Sequence, residues 1–464
     1  MTIPNHSPWI KQLKRVRGVS PIRESTKTDV VIVGGGIAGV TTAYFALTRT
    51  NKRVVLVEAD KIAHGATGHN AGQITSYFER PLSDLVKEFG FDMAIDGLRS
   101  VESGWQLLDE MVSTAKLRVP LYRFTGYAGM TSLEQIVLQL EDNILREKGG
   151  LPIEQIIVAE DWSGCVEIPS KYDGMYEVAR HKDVLSLIEC SDPAYVASLS
   201  YQKGCLNSAL FSEELIQYLA ETYKNRFAFF EGSPVKAINL SQNSAELEIL
   251  DYKIEAEKVV LCTNGFENFS IRNEGGSEID TKFHHLIAGR VGYMSGYIEP
   301  LKHPPVAISY FPKSGGSHSD PTGDEYFYLT RRPHEHKGAI SFNLICTGGP
   351  EKVLPNGALY SRDEASSDEV RILIDDFLNN TYDKYPENDV EYAFFWHGLM
   401  GYTPNGIRRV GPEPCNPVLL YNLGCNGVGI LPSVFGSLRI SKFLNGENVE
   451  QTIFDPKDQR CEIE

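Results

Sequence analysis

The sequence has 464 residues, a length typical of about three domains, and its 42% hydrophobic residues are sufficient for buried cores. Its formal net charge is −16, which argues against nucleic-acid binding because that binding depends mostly on cations that neutralise phosphates. We therefore predict a globular protein with no nucleic-acid partner.

Residues 1–25 are predicted to form an N-terminal arm. It contains a cluster of four cations, Lys11, Lys14, Arg15 and Arg17, and no acidic residue before Glu24. A transit segment or a membrane-surface anchor would explain them, but the apolar core of a secretory signal is missing. The favoured interpretation is a solvated arm.

The segment "DVVIVGGGIAGVTTAYFAL", residues 29–47, allows two interpretations. A membrane-spanning helix needs about 20 apolar residues, but three consecutive glycines would interrupt it, each costing about 1 kcal/mol relative to alanine. A buried strand over 30–33 followed by a helix over 37–49 is therefore favoured. No integral membrane segment is predicted.

Gly34, Gly36 and Gly39 form a G-x-G-x-x-G pattern at this strand-to-helix turn. Such glycines allow a tight turn, a close approach to a pyrophosphate and tight helix packing. The next strand, 53–57, ends at Glu58, where a carboxylate accepts a hydrogen bond from a ribose hydroxyl. The pattern predicts a dinucleotide site, although a glycine-rich turn without a ligand remains the alternative.

Two further segments are predicted to reach the same ligand. The small-residue loop "HGATGHNAGQI", 64–74, follows the second strand, and its backbone N–H groups are accessible to a ligand. The segment "KVVLCTNG", 258–265, reads as another strand of the sheet. Its Thr263, Asn264 and Gly265 are expected at the carboxyl end, where open α/β sheets bind ligands.

The C-terminal segment 419–446 repeats the strand, glycine turn and helix of the opening motif. Its turn contains Gly424, Gly427 and Gly429, and the N-terminus of the following helix stabilises negative charge. Two such turns almost 400 residues apart suit one elongated ligand, held at a pyrophosphate by the first turn and at a ring system by the last.

Eight cysteines show no CxxC or zinc-type spacing. We therefore predict reduced thiols, a cytoplasmic location and no metal site. His334 and His336 flank Glu335, but an isolated H-x-H in a polar turn is seldom a metal site.

Ordered together, these blocks resemble a known family. "DVVIVGGGIAGVTTA", "VVLVEADKIAHGATGHNAGQI", "VVLCTNG", "HGLMGYTPNGIRRVG" and "LYNLGCNGVGI" are similar to the FAD-dependent oxidoreductases of the D-amino-acid oxidase (DAO) superfamily. The resemblance is to the branch containing glycine oxidase, sarcosine oxidase and gamma-glutamylputrescine oxidase. It covers the chain from about Asp29 to Gly446.

The resemblance implies an α/β (α+β overall) fold with two parts. One is a Rossmann-like, discontinuous FAD-binding domain, expected at 26–80, 200–268 and 346–464. The other is a substrate-binding domain built on a mixed β-sheet, expected at 81–199 and 269–345.

The resemblance and the motifs together assign a set of FAD-binding residues. The pyrophosphate, ribose, adenine and flavin contacts are expected from Gly34, Gly36, Ile37, Ala38, Gly39, Glu58, Ala59, Thr67, Gly68, His69, Asn70, Ala71, Gly72, Val235, Thr263, Asn264, Gly265, Gly427, Val428, Gly429 and Ile430.

Several positions depart from the family pattern. His69 replaces an arginine common among relatives, and it is either a non-bonded flavin neighbour, which is favoured, or a covalent attachment point. Val428 replaces a common histidine, and Arg408 and Arg409 lie in an altered glycine turn. These changes leave the substrate less defined than the cofactor.

Four residues are candidates for the reaction site. Arg331 is expected to bind a substrate carboxylate, because a guanidinium binds such a group bidentately; a solvated turn is the alternative. Tyr328, Trp396 and His397 are expected to wall the pocket, although core packing explains each of them as well.

The predicted activity is FAD-dependent oxidation of the C–N bond of an amine or amino acid. The small-molecule substrate gives a hydride to the flavin, the imine hydrolyses, and oxygen reoxidises the cofactor. A dehydrogenase that uses a quinone or carrier protein is the close alternative. A non-catalytic flavin-binding assembly or regulatory protein, and a plain NAD dehydrogenase, are less favoured.

Overall fold

The structure is a computed structural model that describes residues 5–13, 15, 17–265, 268–274, 276–311, 326–336, 338–355, 358–386 and 392–457. The α-helices found in these ranges are α1 Pro8–Lys11, α2 Ile37–Arg49, α3 Leu82–Phe89, α4 Phe91–Thr114, α5 Leu133–Lys148, α6 His181–Leu187, α7 Ser208–Thr222, α8 Asp280–His285, α9 Asp368–Thr381 and α10 Ile430–Leu444.

The strands found in the same ranges form two sheets. They are β1 Thr26–Val33, β2 Val54–Val57, β3 Gln73–Ile74, β4 Tyr122–Met130, β5 Gln155–Ala159, β6 Glu177–Ala179, β7 Ala197–Cys205, β8 Phe227–Phe230, β9 Val235–Leu240, β10 Ala245–Ile249, β11 Tyr252–Leu261, β12 Ser270–Asn273, β13 Ala288–Pro300, β14 Val306–Tyr310, β15 Phe327–His336, β16 Ala339–Val353, β17 Tyr392–Tyr402, β18 Arg409–Glu413 and β19 Asn416–Leu423.

The first sheet contains the predicted nucleotide unit. Strands β8, β2, β1, β11 and β19 are neighbours in that order and run parallel. Strands β1 and β2 are buried along most of their length, as expected for a parallel sheet covered on both faces. The turn from β1 into α2 and the turn from β19 into α10 therefore lie at the same edge of this sheet, which confirms the predicted α/β architecture with a strand-to-helix unit over 29–47.

Helices α2 and α10 pack directly against each other beside this sheet. Ser437 of α10 connects them, because its hydroxyl lies 2.8 Å from Thr41 Oγ1 and 2.9 Å from Thr42 Oγ1. All three side chains are fully buried. The two ends of the chain thus share one core, and the N-termini of α2 and α10 are held in a fixed relation.

The second sheet is mixed, as predicted for the substrate domain. Its main path in the described residues is β17-β13-β16-β15-β14-β4-β7-β5-β6, with β3 paired to β7. Strands β16 and β17 belong to this sheet although the predicted boundaries place residues after 346 in the FAD-binding part, and β12, at 270–273, belongs to the first sheet. The domain boundaries themselves stay a prediction.

The N-terminal arm is only partly solvated, so that expectation is wrong for residues 7–9 and Ile22, which are buried, whereas Lys11, 18–20 and 23–25 are exposed. Trp9 is completely buried, and its indole N–H donates to the Asn70 carbonyl at 2.5 Å. Arg17 pairs with Glu213 and Glu231. Arg17, one of the predicted cations of the arm, therefore binds buried acids. Residues 5–13 form a strap across the loop at 65–72.

One cysteine differs from the expectation of reduced thiols, and no described helix is a membrane span. Among the residues that the structure describes, six cysteines are outside any disulfide, namely Cys165, Cys190, Cys205, Cys262, Cys346 and Cys425. Cys415 is disulfide-bonded, so the prediction of reduced thiols is wrong there, and the cytoplasmic location loses one of its grounds. Among the described helices, none combines the length and hydropathy that a membrane crossing requires.

Candidate functional site

A large cavity of about 780 Å³ lies between the two sheets. One wall comes from the first sheet, through the turn after β1 and the start of β9. The other wall comes from the second sheet, through Met294 on β13, Tyr328 on β15 and Glu351 on β16. The volume falls in the upper part of the range for small-molecule sites.

The glycine turn after β1 is shaped by close backbone contacts. Gly34 has φ +107°, and a Cβ added there would lie 2.7 Å from the Cys262 carbonyl oxygen. A Cβ on Gly39 would lie 1.8 Å from the Gly34 carbonyl oxygen. Gly36 caps α2 without a side-chain hydrogen bond. The turn therefore requires glycines, and N–H groups of the first helical turn remain available for an anion.

Glu58 lies at the end of β2, beside this turn. Its Oε2 accepts from the Gly35 N–H at 2.6 Å, and its Oε1 accepts from the Asp60 N–H at 2.9 Å. Burial raises the pKa of this carboxyl above its ordinary value, against the effect of the two N–H groups. Each oxygen keeps a further lone pair, so the carboxylate can still accept a ligand hydroxyl.

The loop at 65–72 closes over the glycine turn. Thr67 Oγ1 accepts from the Ile37 N–H at 2.9 Å. Asn70 fixes the loop, because its Oδ1 accepts from the Gly72 N–H at 2.8 Å and its Nδ2 donates to Ser208 Oγ at 2.9 Å. The loop is therefore a rigid wall of the cavity.

His69 lines the cavity next to this wall. Its Nδ1 lies 3.0 Å from the Gly65 carbonyl oxygen. Burial lowers the pKa of the imidazole to about 4, so the ring is neutral at physiological pH. His69 therefore contributes an uncharged ring to the cavity lining.

The C-terminal turn closes the cavity from the opposite side of the glycine turn. Gly427 has φ +76°, and Gly429 caps α10 without a side-chain hydrogen bond. Asn264, which follows β11, accepts from the Cys425 N–H at 3.0 Å. Within the described part of the chain, the buried Thr263 hydroxyl oxygen has no hydrogen-bond partner. The first turn of α10 and this hydroxyl are therefore available to a ligand.

Most residues predicted from the sequence line this one cavity. They are Gly34, Gly36, Ile37, Ala38, Glu58, Ala59, Thr67, His69, Asn70, Ala71, Gly72, Val235, Thr263, Asn264, Tyr328, Gly427, Val428, Gly429 and Ile430.

Three predicted glycine or loop positions lie behind the wall. Gly39, Gly68 and Gly265 are outside the lining, and each packs against other parts of the protein. A Cβ on Gly68 would meet Ile10 of the strap at 2.5 Å, and one on Gly265 would meet Ile287 at 2.3 Å. These glycines shape the wall and do not face the ligand space.

The structure places Arg331 away from the cavity, which corrects the expectation that it binds a substrate carboxylate. Its guanidinium forms a bidentate pair with Glu189, with two N–O distances of 2.7 Å, and donates to Tyr382 Oη at 2.8 Å. The side chain is 1% exposed. The sequence pattern identified a bidentate arginine correctly but could not show that its carboxylate belongs to the protein.

Trp396 and His397 also face away from the ligand space. The Trp396 indole N–H donates to the Asn70 carbonyl at 3.2 Å. His397 Nδ1 lies 3.0 Å from Tyr360 Oη, and its Nε2 lies 3.0 Å from the Glu364 carbonyl oxygen. Neither side chain lines the cavity, so both support the wall instead of meeting a ligand, which corrects their expected role as pocket walls.

His334 of the H-x-H pattern packs against the N-terminal strap. Its Nδ1 lies 2.9 Å from Gln12 Nε2, and its side chain is buried. The side chain of His336 lies outside the described residues. Within the ranges that the structure describes, no cluster of three potential metal ligands occurs.

The sequence prediction missed one part of the lining. Tyr77, Glu79, Tyr326 and Glu351 line the cavity beside the predicted Tyr328. They come from the segment after β3, from the residue before β15 and from β16. Tyr326 shares the aromatic strand pattern with Tyr328, which makes it a candidate as well, whereas Tyr77, Glu79 and Glu351 have no sequence signal.

Most of the sequence matches the model of one known family. The family model described as "DAO: FAD dependent oxidoreductase" matches residues 29–438. The chain belongs to this family. It is therefore an FAD-dependent oxidoreductase of the DAO family, as the sequence resemblance predicted.

Curated relatives match only short segments. The chain is 37% identical over 94 residues to gamma-glutamylputrescine oxidoreductase of Escherichia coli, covering 20% of this chain and 22% of the relative. It is 40% identical over 73 residues to the putative Rieske 2Fe-2S iron-sulfur protein YhfW of Bacillus subtilis, covering 16% of this chain and 14% of the relative. The matches thus span less than a quarter of either relative.

Solved structures match nearly the whole chain at low identity. Glycine oxidase from Geobacillus kaustophilus is similar with a TM-score of 0.64 and 15% identity, covering 92% of this chain and 98% of that one. L-proline dehydrogenase from P. horikoshii has a TM-score of 0.63 and 14% identity, covering 91% and 95%. At this identity the likeness shows the fold.

The cavity fits the cofactor of the family. The glycine-capped N-termini of α2 and α10 border the same space, with the Thr67 hydroxyl on the first N–H of α2, and such N-termini bind anionic groups. A Cβ at Gly34 or Gly36 would crowd the turn that borders the cavity. Within the described residues, the buried Thr263 hydroxyl has no hydrogen-bond partner and can therefore bind a ligand group. The residues present therefore suit an elongated dinucleotide with a diphosphate between its two ends.

Proposed function

We propose that this protein oxidises the C–N bond of a small amine or amino acid with FAD as the hydride acceptor. The substrate loses a hydride and a proton, and the resulting imine reacts with water to give a carbonyl compound and an amine or ammonia. The observation that supports this most directly is one cavity that joins both glycine-capped helices to a tyrosine-lined wall of the second sheet.

One end of the cavity is assigned to the nucleotide. We call it the glycine end, and it comprises Gly34, Gly36, Glu58 and Val235. The α2 N-terminus and the two glycines would hold the pyrophosphate, Glu58 the ribose, and the backbone of Val235 the adenine. The flavin would contact the loop at 65–72 and the start of α10.

The opposite end is assigned to the substrate. We call it the tyrosine end, and it comprises Tyr77, Glu79, Tyr326, Tyr328 and Glu351. When bound, FAD supplies the hydride acceptor, and the chain supplies binding, orientation and exclusion of water. Tyr328 is held by its hydroxyl, which donates to Met294 Sδ at 3.1 Å, so its ring is a fixed surface for the substrate carbon chain.

The test is an anaerobic spectrum of the purified protein during titration with amines and amino acids. We expect a yellow protein whose absorbance near 450 nm, a wavelength typical of oxidised flavin, is bleached by its substrate. A flavin that no amine or amino acid reduces, while dithionite does reduce it, would favour a non-catalytic flavoprotein. A colourless protein that stays colourless after refolding with FAD would contradict the proposal.

Reoxidation separates the oxidase from the dehydrogenase. We expect air to restore the yellow colour with production of hydrogen peroxide. Restoration only by a quinone or a one-electron carrier would instead favour the dehydrogenase, an arrangement compatible with the short match to a protein named as a Rieske iron-sulfur protein. Acid precipitation afterwards tests His69, and we expect the colour to leave the polypeptide.

A further inference from the structure

The tyrosine end adjoins the turn that opens α10. A Cβ added to Gly427 would lie 2.5 Å from the carboxyl carbon of Glu79. Tyr77 and Glu79 come from the segment after β3, and Tyr328 and Glu351 lie on β15 and β16. Two carboxylates from different parts of the chain therefore face the same space next to the proposed flavin position.

The ionisable side chains that line this end, apart from the tyrosines, are acidic. Glu79 and Glu351 line the cavity, whereas the basic groups near them stand outside its lining. Arg290 lies 3.5 Å from a Glu351 oxygen and stacks on the Tyr402 ring at 4.7 Å. Lys203 is fully buried and donates to Ser309 Oγ at 3.0 Å. A ligand at this end therefore meets carboxylates before it meets cations.

The protonation state of Glu79 depends on whether a cation is bound. Burial, followed by the negative charge of Glu351, raises the pKa of Glu79 to about 8, against the effects of Arg290 and Lys203. The ligand-free carboxyl is thus mostly protonated at pH 7. A bound cation favours the ionised form, because opposite charges at short distance stabilise each other.

The aromatic rings add a second attraction for cations. Tyr77, Tyr326 and Tyr328 line the space around Glu79, and the rings of Tyr326 and Tyr328 lie 5.6 Å apart. Aromatic faces attract ammonium groups, by about 0.5–2 kcal/mol depending on desolvation. The same faces pack against methylene groups, so this end suits an aliphatic chain with ammonium groups.

An α-carboxylate has no comparable partner at this end. In the described part of the lining, the cations are Lys236, Arg362 and Arg408. Lys236 follows Val235 at the glycine end, and Arg362 is paired with Asp60 at 2.8 Å. Arg408 is bound to Asn422, donating to its Oδ1 at 2.7 Å and to its carbonyl oxygen at 2.8 Å. Lys236 thus belongs to the glycine end, Arg362 already pairs with a carboxylate, and the Arg408 donors are bound to neutral oxygens of Asn422.

We infer that the substrate is an aliphatic diamine or polyamine, with Glu79 and Glu351 receiving an ammonium group, and not an α-amino acid. This inference rests on the proposed function and narrows its substrate class. Under this inference Glu79 determines the specificity, because its carboxyl lines the acidic part of the wall and also lies beside the turn at Gly427.

The experiment uses three matched amines with the FAD-loaded protein. Ornithine is 1,4-diaminobutane with one added α-carboxylate, and butylamine lacks the second ammonium group. We expect anaerobic bleaching to reach half-saturation at a concentration of 1,4-diaminobutane about tenfold lower than for butylamine and about a hundredfold lower than for ornithine, which correspond to about 1.4 and 2.7 kcal/mol.

Two variants assign the preference to Glu79. Glu79→Gln keeps the shape of the side chain and should reduce the diaminobutane-to-ornithine preference at least about tenfold, the value of one lost charge pair. Glu154→Gln is the matched control, because Glu154 is a half-buried carboxyl like Glu79 and has its pKa raised to about 7 by burial, but lies outside the lining. It should keep the preference, and FAD content is measured for both variants.

The outcomes separate the two proposals. Bleaching by ornithine or another α-amino acid at equal or lower concentration than diaminobutane overturns this inference and leaves the proposed function standing. An unchanged preference in Glu79→Gln also overturns it. If no amine of any class bleaches a flavin that dithionite reduces, the proposed function itself fails.

Discussion

At the glycine end the cavity is walled mainly by main chain, whereas at the tyrosine end it is walled by side chains from distant strands. Gly34 and Gly36 belong to a single turn. Glu79 and Glu351, in contrast, are 272 residues apart in the sequence and line one cavity because the second sheet brings together the segment after β3 and strand β16. A cofactor shared by a family can be bound by backbone, while a particular substrate has to be selected by side chains.

The largest effect is expected behind the tyrosine end, at Arg331. Replacing Arg331 by Met leaves the Glu189 carboxylate buried without its bidentate partner, and such a loss destabilises a protein by about 3–5 kcal/mol. Urea unfolding measures this change. The flavin spectrum and the half-saturating amine concentration should stay close to those of the unchanged protein at low urea.

A matched double variant sharpens this point. Arg331→Met combined with Glu189→Met removes both charges and should recover most of the lost stability. A selective loss of amine binding, with stability retained, would return Arg331 to the substrate site.

The next effect is expected at the glycine end. In Gly39→Ala the new Cβ would lie 1.8 Å from the Gly34 carbonyl oxygen, so the turn must open and the pyrophosphate position changes. We expect FAD affinity to fall at least about a hundredfold, or about 2.7 kcal/mol, measured by flavin fluorescence during titration of the FAD-free protein.

Gly65→Ala is the control for this variant. Gly65 lines the same cavity but has no atom within 4 Å of an added Cβ, and its φ is negative, at −80°. Its FAD affinity should change less than about threefold, or about 0.6 kcal/mol. Equal losses in the two variants would argue against a specific role of the glycine turn.

The smallest effect is a pH dependence at the tyrosine end. The groups that face Glu79 there are Glu351, Arg290, Lys203 and neighbouring tyrosines. With a pKa of about 8, Glu79 ionises as pH rises, so the affinity for butyltrimethylammonium, whose charge does not titrate, should increase about tenfold between pH 7 and 9. Competition against diaminobutane measures this affinity.

Lys203 contributes in the same direction. Burial lowers its pKa to about 7, so it loses positive charge in the lower part of this range and repels the ligand less. Glu79→Gln should reduce the increase to about threefold or less. A fall in affinity with rising pH would contradict the assigned role of Glu79.

The sequence predicted the glycine end because its information is local. A turn that places Gly34 against Cys262 and Gly39 against Gly34 needs glycine at fixed spacing, and the strand and helix around it have their own hydrophobic patterns. The family, the FAD cofactor and the two-sheet architecture followed from such short blocks.

The tyrosine end could not be predicted in the same way. Arg331 sits on a strand face where sequence shows a cation but not its partner, and the partner, Glu189, comes from a separate element. Glu79 lies in the irregular segment between β3 and α3, which has no periodic pattern. These roles depend on contacts between residues that are far apart in the sequence. A single sequence does not show which distant residues touch.

The strap formed by residues 5–13 has a consequence for the order of assembly. Trp9 packs against Gly72 and donates to Asn70, while His6 pairs with Phe395 on β17. The ribosome synthesises residues 5–13 well before β17, yet their docking surface is complete only after β17 has been made. These residues therefore dock late although they are synthesised earlier, and a bulky tag fused directly in front of residue 5 should slow maturation more than one attached behind α10.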